Sequence, residues 1–358
     1  MKKKIILVIA AAAILAAAAI WKMQPQTTPL PEAPKAPAVV YHWDFSTEYA
    51  TLKVSAVGDS ARITANLDSM NVWAQSFTAR YKSDGTLDSM IFNAKVGDTV
   101  HLESDDYDLF RFALRFRDFS HHDIDVGIGN LLRAWKISWN GQGQVPSDAQ
   151  LKALVADLKT PFYSLDSVHQ ALVILKTKHH FALGAFQEGR ILDEMESRLR
   201  EAGATSWLCE VSGDFSYHGR KPNGDPWVLG VKDPEKPEEL LATVKVMDDK
   251  FSFCTSGDYE QKFTDAKGHS HHHILDPHTG QSTQGKHSVS VSTSIPWMNK
   301  NTLCTWFMIL PLESIRQEVL DAKGGIETLV VLDSNRIWMS PGMREHATLL
   351  NDQYQVVP

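Results

Sequence analysis

The chain has 358 residues, of which 43% are hydrophobic and 22% are charged, so it is long enough to bury a large globular core. Its formal net charge is −7 and it carries no stripe of Lys and Arg, which argues against a nucleic-acid partner. Its aromatic residues, including 10 Trp, are spread along the chain, which argues against long disordered segments.

Residues 1–22 have the pattern of an export signal or of a membrane anchor. Three Lys follow Met1, and residues 5–21 carry no charge. Bulky Ile20 and Trp21 follow a run of Ala, so no cleavage site stands out, and both alternatives stay open. We expect export to the periplasmic side, with attachment to the inner membrane if the segment is retained.

Residues 23–39 are rich in Pro and Ala, which predicts an extended, semi-stiff spacer. Residues 40–358 then read as one mixed domain of helices and strands. In chain order, residues 50–57 and 60–67 alternate apolar and polar positions, which predicts a hairpin with a two-residue turn.

Helical spacing predicts helices over residues 105–116, 147–158 and 191–202. A short helix is predicted at residues 237–241, where Pro237 would occupy the first turn. Apolar runs predict strands at residues 207–211, 227–231 and 329–332.

The three cysteines, Cys209, Cys254 and Cys304, lie far apart in apolar runs. Their spacing fits no zinc motif, and an odd count leaves at least one unpaired. We predict three buried small hydrophobic side chains, with a nucleophilic cysteine as the alternative.

Two polar turns carry the strongest functional signal. The first is Thr-Ser-Gly-Asp-Tyr at residues 255–259, and the second is His-Ile-Leu-Asp-Pro-His-Thr-Gly at residues 273–280. A glycine lets the backbone approach a ligand, and successive N–H groups in a turn form a concave anion site. The pair predicts a phosphate-bearing ligand held between two loops, although each turn alone is also compatible with an ordinary hairpin loop.

Together the two blocks resemble the FAD:protein FMN transferase (ApbE) family in composition, order and separation. Matching positions are Thr255, Ser256, Gly257, Asp258 and Tyr259, then His273, Ile274, Asp276, Pro277, Thr279 and Gly280. Leu275 and His278 stand where the family has Ile and Arg. The resemblance covers about residues 41–312 and implies a single α+β domain with mixed or antiparallel sheets and packed helices.

The resemblance also implies site residues. Those expected to contact FAD are Thr47, Asp125, Gly184, Gly213, Asp214, Thr255, Ser256, Gly257, His273, Asp276 and Thr279. Asp258 is expected to accept a proton or orient a hydroxyl, with a structural cap as the alternative, and His273 is expected to contact the ligand. Asp276 is predicted to hold its own turn.

A Mg²⁺ site is implied at Asn301, Thr305 and the backbone carbonyl of Gln187. The chain departs from the family here, because Asn301 stands where the family has Asp and Glu188 stands where it has Lys. Mg²⁺ prefers carboxylate oxygens, so we expect the ligand pocket to be better kept than the metal site.

A second metal hypothesis rests on histidines that crowd one stretch of the chain: His269, His271, His272, His273, His278 and His287. Imidazole suits Zn²⁺ or Cu²⁺. The run is contiguous and lacks a spaced carboxylate set, which favours a solvated loop with His273 on the ligand.

The function that the resemblance implies is phosphoryl transfer: FMN moves from FAD to a Thr or Ser hydroxyl of an acceptor protein, and AMP leaves. Two alternatives stay open. One is an FAD-binding module that has lost turnover through the changes at Gln187, Glu188 and Asn301; the other is an FAD pyrophosphatase that uses water.

Overall fold

The structure is a computed structural model, and it describes residues 39–47, 50–81, 85–295 and 302–358. The predicted export segment, nearly all of the predicted spacer, and Asn301 lie outside the described residues. Val39–Pro358 forms one compact unit. Within the described ranges, no helix combines the length and the apolar character that crossing a bilayer requires.

Seventeen strands are described, and in chain order they are β1 Val40–Ser46, β2 Thr51–Val57, β3 Thr99–His101, β4 Tyr163–Asp166, β5 Ala171–Ile174, β6 Ser206–Val211, β7 Asp214–His218, β8 Val228–Asp233, β9 Lys236–Lys245, β10 Ser252–Gly257, β11 Lys262–Thr264, β12 Ser270–His272, β13 Lys286–Thr293, β14 Ile326–Leu332, β15 Arg336–Met339, β16 Ala347–Leu349 and β17 Gln355–Val356.

The described α-helices are α1 Ser60–Arg80, α2 Thr86–Asn93, α3 Ser104–Phe119, α4 Gly129–Trp135, α5 Asp148–Leu158, α6 Gly184–Glu201, α7 Thr302–Ile309, α8 Leu312–Asp321 and α9 Pro341–His346, with a 3₁₀ turn at Val126–Ile128. The predicted α+β class is confirmed.

One nine-stranded sheet organises the domain, in the order β1-β2-β6-β7-β10-β13-β14-β15-β17. Its pairs are antiparallel except for β15 with β17. Three small sheets flank it, in the orders β16-β9-β8, β3-β5-β4 and β11-β12.

The predicted hairpin over residues 50–67 is wrong in its second half. Residues 51–57 form β2, but residues 60–67 begin the 21-residue helix α1. Asp59 ends the strand and caps the helix, because its carboxylate accepts from the N–H groups of Ala61 and Arg62. The alternation ends after Leu67, and from there the buried residues follow helical spacing through Met70 and Phe77.

The predicted helix at residues 237–241 is also wrong, because these residues lie in β9. Strand β9 pairs with β8 on one side and β16 on the other. Leu241, Ala242 and Val244 are buried in a cluster shared with the main sheet. Burial of this apolar segment between two strands outweighs the local preference of Pro237 for a first helical turn.

The remaining predicted elements are confirmed with shifted ends. Helices α3 and α5 and strands β6, β8 and β14 lie where the spacing predicted them. Helix α6 begins at Gly184, seven residues before the predicted start at Ile191. This earlier start brings the opening turn of α6 to the cavity described below.

The largest core cluster lies between the main sheet and its helices. It joins apolar residues of β2 and β6 to Ile63 and Leu67 of α1, Leu192 and Met195 of α6, and Phe307 of α7. All three cysteines are buried thiols outside any disulfide, as predicted.

Replacing Asp59 by Ala tests the cap that turns β2 into α1. Loss of two accepted hydrogen bonds should lower the free energy of unfolding by about 1 kcal/mol, measured by chemical denaturation. Asp68→Ala, at an exposed position inside the same helix, is the control and should change stability by less than about 0.5 kcal/mol. Equal effects of the two substitutions would contradict the capping role.

Candidate functional site

A cavity of about 320 Å³ lies where the two sequence blocks meet. Residues of five parts of the chain line it: Asp123, Ile124, Asp125, Ile128, Leu132 and Trp139; Ala182, Gly184, Ala185, Phe186 and Glu188; Ser212 and Asp214; Thr255, Ser256, Gly257, Glu260, Gln261, His273, Ile274 and Leu275; Thr305 and Ile309. A larger hollow of about 650 Å³ lies around Asp193, Tyr217 and Lys250. None of the predicted site residues lines that hollow, so the smaller cavity is the candidate site.

The end of β10 forms the floor of the cavity. Strand β10 pairs with β7 only through Ser252 and Phe253, whereas its pairing with β13 continues to Gly257. The edge from Cys254 to Gly257 therefore has no strand partner on the β7 side. Residues 212–213 form the turn between β6 and β7, so β7 begins at Asp214 and does not extend along this edge of β10. Both turn residues have positive φ, 51° and 96°.

Hydroxyl and carboxyl groups occupy this uncovered edge. The N–H of Thr255 donates to Asp214 Oδ1 at 3.2 Å, and the Thr255 hydroxyl lies 2.8 Å from that of Ser290. The Ser256 hydroxyl donates to Cys304 Sγ at 3.2 Å and lies 3.1 Å from Thr305 Oγ1.

Gly257 is required by close packing. A Cβ atom at this position would lie 2.3 Å from Tyr259 Cε1. The first block thus packs its tyrosine ring against its own glycine, and the backbone at Gly257 stays bare on the cavity side.

Asp214 is a buried carboxyl at the base of the cavity. Burial, followed by the nearby Cys304 and Glu188, raises its pKa well above the usual value. Burial also raises the pKa of the Cys254 thiol well above its usual value. In both groups burial disfavours the charged form.

His273 belongs to the cavity lining and has an unsatisfied buried ring nitrogen. It lines the cavity, and its Nδ1 is buried without a hydrogen-bond partner. Burial and the neighbouring His272 lower the pKa of His273 to about 4, so its ring is neutral at pH 7. A buried polar atom without a partner is costly, and a bound ligand would supply the missing hydrogen bond.

Asp125 supports the wall opposite β10. Its carboxylate accepts from the N–H of Gly127 at 2.8 Å and forms a buried ion pair with Arg117. Asp123 lies on the same wall, where it accepts from Trp306 Nε1 at 2.9 Å and lies 2.8 Å from His278 Nε2. The contact between His278 and Asp123 joins the second block to this wall.

The second block is a self-capped turn. Asp276 accepts from the N–H of His278 and from the hydroxyl of Thr279, at 2.8 and 2.9 Å, which confirms its predicted role. Gly280 has a φ of 75°, and its carbonyl accepts from Trp135 Nε1.

Asp258 is held by an ion pair outside the cavity lining. His287 Nδ1 lies 2.9 Å from Asp258 Oδ2, and its Nε2 lies 3.4 Å from Asp333. The hydrogen bond that Asp258 accepts, followed by the charges of nearby carboxylates, raises the pKa of His287. The structure therefore pairs the Asp258 side chain with His287, and both its catalytic role and its role as a cap stay predictions.

The predicted site residues divide into two groups. Those that line the cavity are Asp125, Gly184, Asp214, Thr255, Ser256, Gly257, His273 and Thr305. Those that do not are Thr47, Gly213, Asp258, Asp276, Thr279 and Gln187. Thr47 bonds with Ala50 across the turn before β2, and Gln187 donates its N–H to Leu183 inside α6.

Three lining residues had no clear sequence signal. Trp139 follows α4 and is 73% exposed on the rim of the cavity, where nothing in the local pattern distinguishes it from a surface residue. Gln261 lies just beyond the first block. Glu188 departs from the family pattern, and it lines the cavity because α6 begins as early as Gly184.

Oxygen donors suit a hard divalent cation at one end of the cavity. The Thr302 hydroxyl donates to the carbonyl of Ala185 at 2.8 Å, which joins α7 to the first turn of α6. This contact brings Thr305 and Glu188 to the same cavity. A carboxylate and hydroxyls are the donors that Mg²⁺ prefers, so the residues present fit this ion.

The histidine-rich stretch does not form a metal centre in the described part of the chain. His269 and His271 each lie 3.3 Å from Asp265, and His272 bonds to the Thr283 carbonyl. Among the described residues, the one group of three metal-ligating side chains is Asp214, Cys254 and Cys304.

Comparison with known proteins agrees with this geometry. The ApbE family matches residues 45–330. An FAD:protein FMN transferase of Haemophilus influenzae is 23% identical over 64% of this chain and 67% of its own length. One of Klebsiella pneumoniae is 25% identical over 66% of this chain and 68% of its own length.

Solved structures show the same fold. The ApbE protein of Thermotoga maritima has a TM-score of 0.74 at 22% identity, covering 86% of this chain and 99% of its own. The flavin transferase ApbE of Vibrio cholerae has a TM-score of 0.70 at 19% identity, covering 87% of this chain and 100% of its own.

Gly257→Ala should destabilise the domain by about 1–3 kcal/mol, because the added methyl group overlaps the Tyr259 ring. Urea denaturation would measure this loss. Gly184→Ala is the matched control, since a Cβ atom at that position would have no other atom within 4 Å; alanine in a helix should leave stability equal or raise it by up to about 1 kcal/mol. A stable Gly257→Ala protein would contradict the packing role.

The His287–Asp258 pair should make stability depend on pH. Because the folded-state pKa of His287 is raised, its contribution is complete below the unfolded pKa of about 6.5 and is lost as pH rises through the folded pKa. The stability advantage of the wild type over His287→Gln should therefore be larger at about pH 5.5 than at about pH 8.5.

Unfolding experiments at the two pH values would measure that difference. In an Asp258→Asn background it should shrink, leaving the weaker effect of Asp333. An advantage that is equal at both pH values would contradict the pairing.

Proposed function

Because the chain belongs to the ApbE family, we propose that it transfers FMN from FAD to the hydroxyl of a Thr or Ser on an acceptor protein and releases AMP. The observation that carries this proposal is the meeting of both sequence blocks in one cavity. Ser256 and Gly257 of the first block form its floor, and His273 of the second block lines it.

The uncovered edge of β10 is suited to the pyrophosphate of FAD. Thr255, Ser256 and Gly257 line the cavity along this edge, and the Tyr259 ring packs where a side chain at residue 257 would lie. Burial raises the pKa of Asp214 at the base of the cavity and so disfavours a negative charge there. His273, with a neutral ring and an unpaired Nδ1, supplies one further polar contact.

In the proposed reaction, the acceptor hydroxyl oxygen attacks the phosphorus on the FMN side of the pyrophosphate. A phosphoester bond forms to the acceptor, the bond between this phosphorus and the AMP oxygen breaks, AMP leaves with that oxygen, and the hydroxyl proton is released to water. Such chemistry depends on positioning and on neutralising charge more than on covalent help from the protein. The chain's own part is to hold the pyrophosphate against β10 and to exclude water with the Asp123–His278 wall.

A bound Mg²⁺ would neutralise charge that develops on the phosphate oxygens. Thr305 and Glu188 would hold it, with Asn301 and the carbonyl of Gln187 as the further positions that the family resemblance implies. Glu188 would restore the negative charge that is lost where Asn301 replaces an aspartate.

A second candidate function is FAD binding without turnover. It is favoured by the departures from the family pattern at Gln187, Glu188 and Asn301, at or beside the positions that the resemblance implies for the metal, whereas the first block keeps its motif. Hydrolysis of FAD by water is a third outcome of the same site. The basic, apolar residues 1–22 support our further proposal that the reaction takes place outside the cytoplasm, on the periplasmic side.

Mass analysis of the purified full-length chain with FAD and a Thr-containing acceptor peptide tests the proposal, first with Mg²⁺ and then with EDTA. Metal-dependent AMP release together with FMN mass on the peptide is the expected result. AMP with free FMN would indicate hydrolysis instead. If FAD is recovered intact but bound to the protein, the transferase proposal is wrong and the FAD-binding function is favoured.

The substitution Asn301→Asp distinguishes a transferase that is active with its modified metal site from a transferase whose metal site has lost activity. If the metal site limits turnover, the added carboxylate should raise Mg²⁺-dependent FAD cleavage at least about tenfold, as expected for about 1.4 kcal/mol or more of added stabilisation. Asn301→Ala is the control and should give no gain. Tight FAD binding without gain in Asn301→Asp would favour the binding function.

A further inference from the structure

Two thiols and a carboxyl meet behind the floor of the cavity. One ligand atom each of Asp214, Cys254 and Cys304 lies within 4.8 Å of the other two. All three side chains are buried, and the two cysteines are almost completely so, with exposures of 1% and 0%. The transfer reaction proposed above uses neither thiol.

Rigid elements hold these three groups. Asp214 begins β7, Cys254 lies on the neighbouring strand β10, and Cys304 lies on α7, which packs against β10. Cys254 and Ser256 are two residues apart on one strand, so they point to the same face, where α7 presents Cys304. Groups that are fixed on strands and a helix keep a ligand geometry better than groups on loops.

The spacing suits a tetrahedral metal ion. With metal–sulfur bonds of about 2.3 Å and metal–oxygen bonds of about 2.0–2.2 Å, the ligand atoms of a tetrahedral zinc lie roughly 3.5–4 Å apart. The observed separations, all within 4.8 Å, require side-chain adjustments of a few tenths of an ångström up to about one ångström. Two thiolates with a carboxylate form a soft donor set that favours zinc over magnesium.

A fourth ligand position opens toward the cavity. Asp214 and Ser256 both line the cavity, and the Ser256 hydroxyl contacts Cys304 Sγ at 3.2 Å. An ion bound to the three groups could therefore reach Ser256 or a molecule in the cavity. Three protein ligands with one open position is the arrangement of zinc sites that bind a substrate or water.

We propose that Asp214, Cys254 and Cys304 form a binding site for a thiophilic divalent cation of the zinc class, behind the floor of the cavity. This site is separate in residues and in donor chemistry from the oxygen donors Glu188 and Thr305. It does not depend on the proposed transferase function, since its test measures metal binding alone.

Titration of the reduced full-length chain with Co²⁺ tests the site, because thiolate ligands give bound Co²⁺ an intense charge-transfer absorption in the near ultraviolet. We expect this absorption to saturate at a single ion per chain and to be bleached by Zn²⁺. It should be lost in Cys254→Ser and in Cys304→Ser. Cys209→Ser, which removes a thiol buried outside the group, is the matched control and should keep the absorption.

Circular dichroism and urea unfolding of each variant establish that the fold is intact. If the metal-free variants fail to fold, Asp214→Asn provides the second test and should weaken Co²⁺ binding at least tenfold while both thiols remain. Because the site is buried, each titration is repeated after refolding in the presence of Co²⁺. If thiolate absorption is absent under both conditions, the proposal is wrong. It is also wrong if the absorption persists in the Cys254→Ser, Cys304→Ser double variant, or if excess Mg²⁺ removes it.

Discussion

The site depends on the way in which β10 is paired. On one side its hydrogen bonding to β13 continues to Gly257, so the strand is held rigidly within the main sheet. On the other side β7 pairs only with Ser252 and Phe253, because the chain has just turned at residues 212–213. Buried backbone groups need partners, and here the Asp214 carboxyl accepts from Thr255 where a strand would otherwise do so. A bare, rigid strand end inside the domain is the result, and every candidate contact to a ligand is arranged around it.

Burial disfavours the charged forms of three groups at the base of the cavity. It raises the pKa of Asp214 and of the Cys254 thiol well above their usual values, and it lowers the pKa of His273 to about 4. A dianionic pyrophosphate entering the cavity would nevertheless meet the carboxyl groups of Asp123, Asp125, Glu188 and Glu260, which also line it. It would also meet little positive charge, which gives a divalent cation a clear part in binding or turnover.

Two sets of candidate metal donors lie at the cavity. Hard donors, Glu188 and Thr305, line the cavity at the joint between α6 and α7. Softer donors, Cys254 and Cys304, lie behind its floor. The two sets are connected through Ser256, whose hydroxyl contacts both Cys304 and Thr305. Donor chemistry determines which cation each set binds, since hard ions select oxygen and thiophilic ions select sulfur.

Local sequence alone predicted helices α3, α5 and α6, strands β2, β6, β8 and β14, and the two blocks, because periodicity, turn residues and motif order are properties of short segments. The α+β fold class followed from the family resemblance that the blocks carry. Local sequence failed where tertiary contacts outweigh local preference, as at α1, whose first eight residues alternate like a strand, and at β9, whose Pro237 favours a helix start. In the site, Ser256, Gly257 and His273 could be predicted, and so could the sharing of one ligand between their two loops. The motif around Asp258 predicted a catalytic group, but the contact of Asp258 with His287 is visible only in the folded structure. The tertiary structure also decided that Trp139 reaches the cavity rim and that Asp214, Cys254 and Cys304 converge, because residues from different elements become neighbours only when the sheet pairs its strands and the helices pack on it.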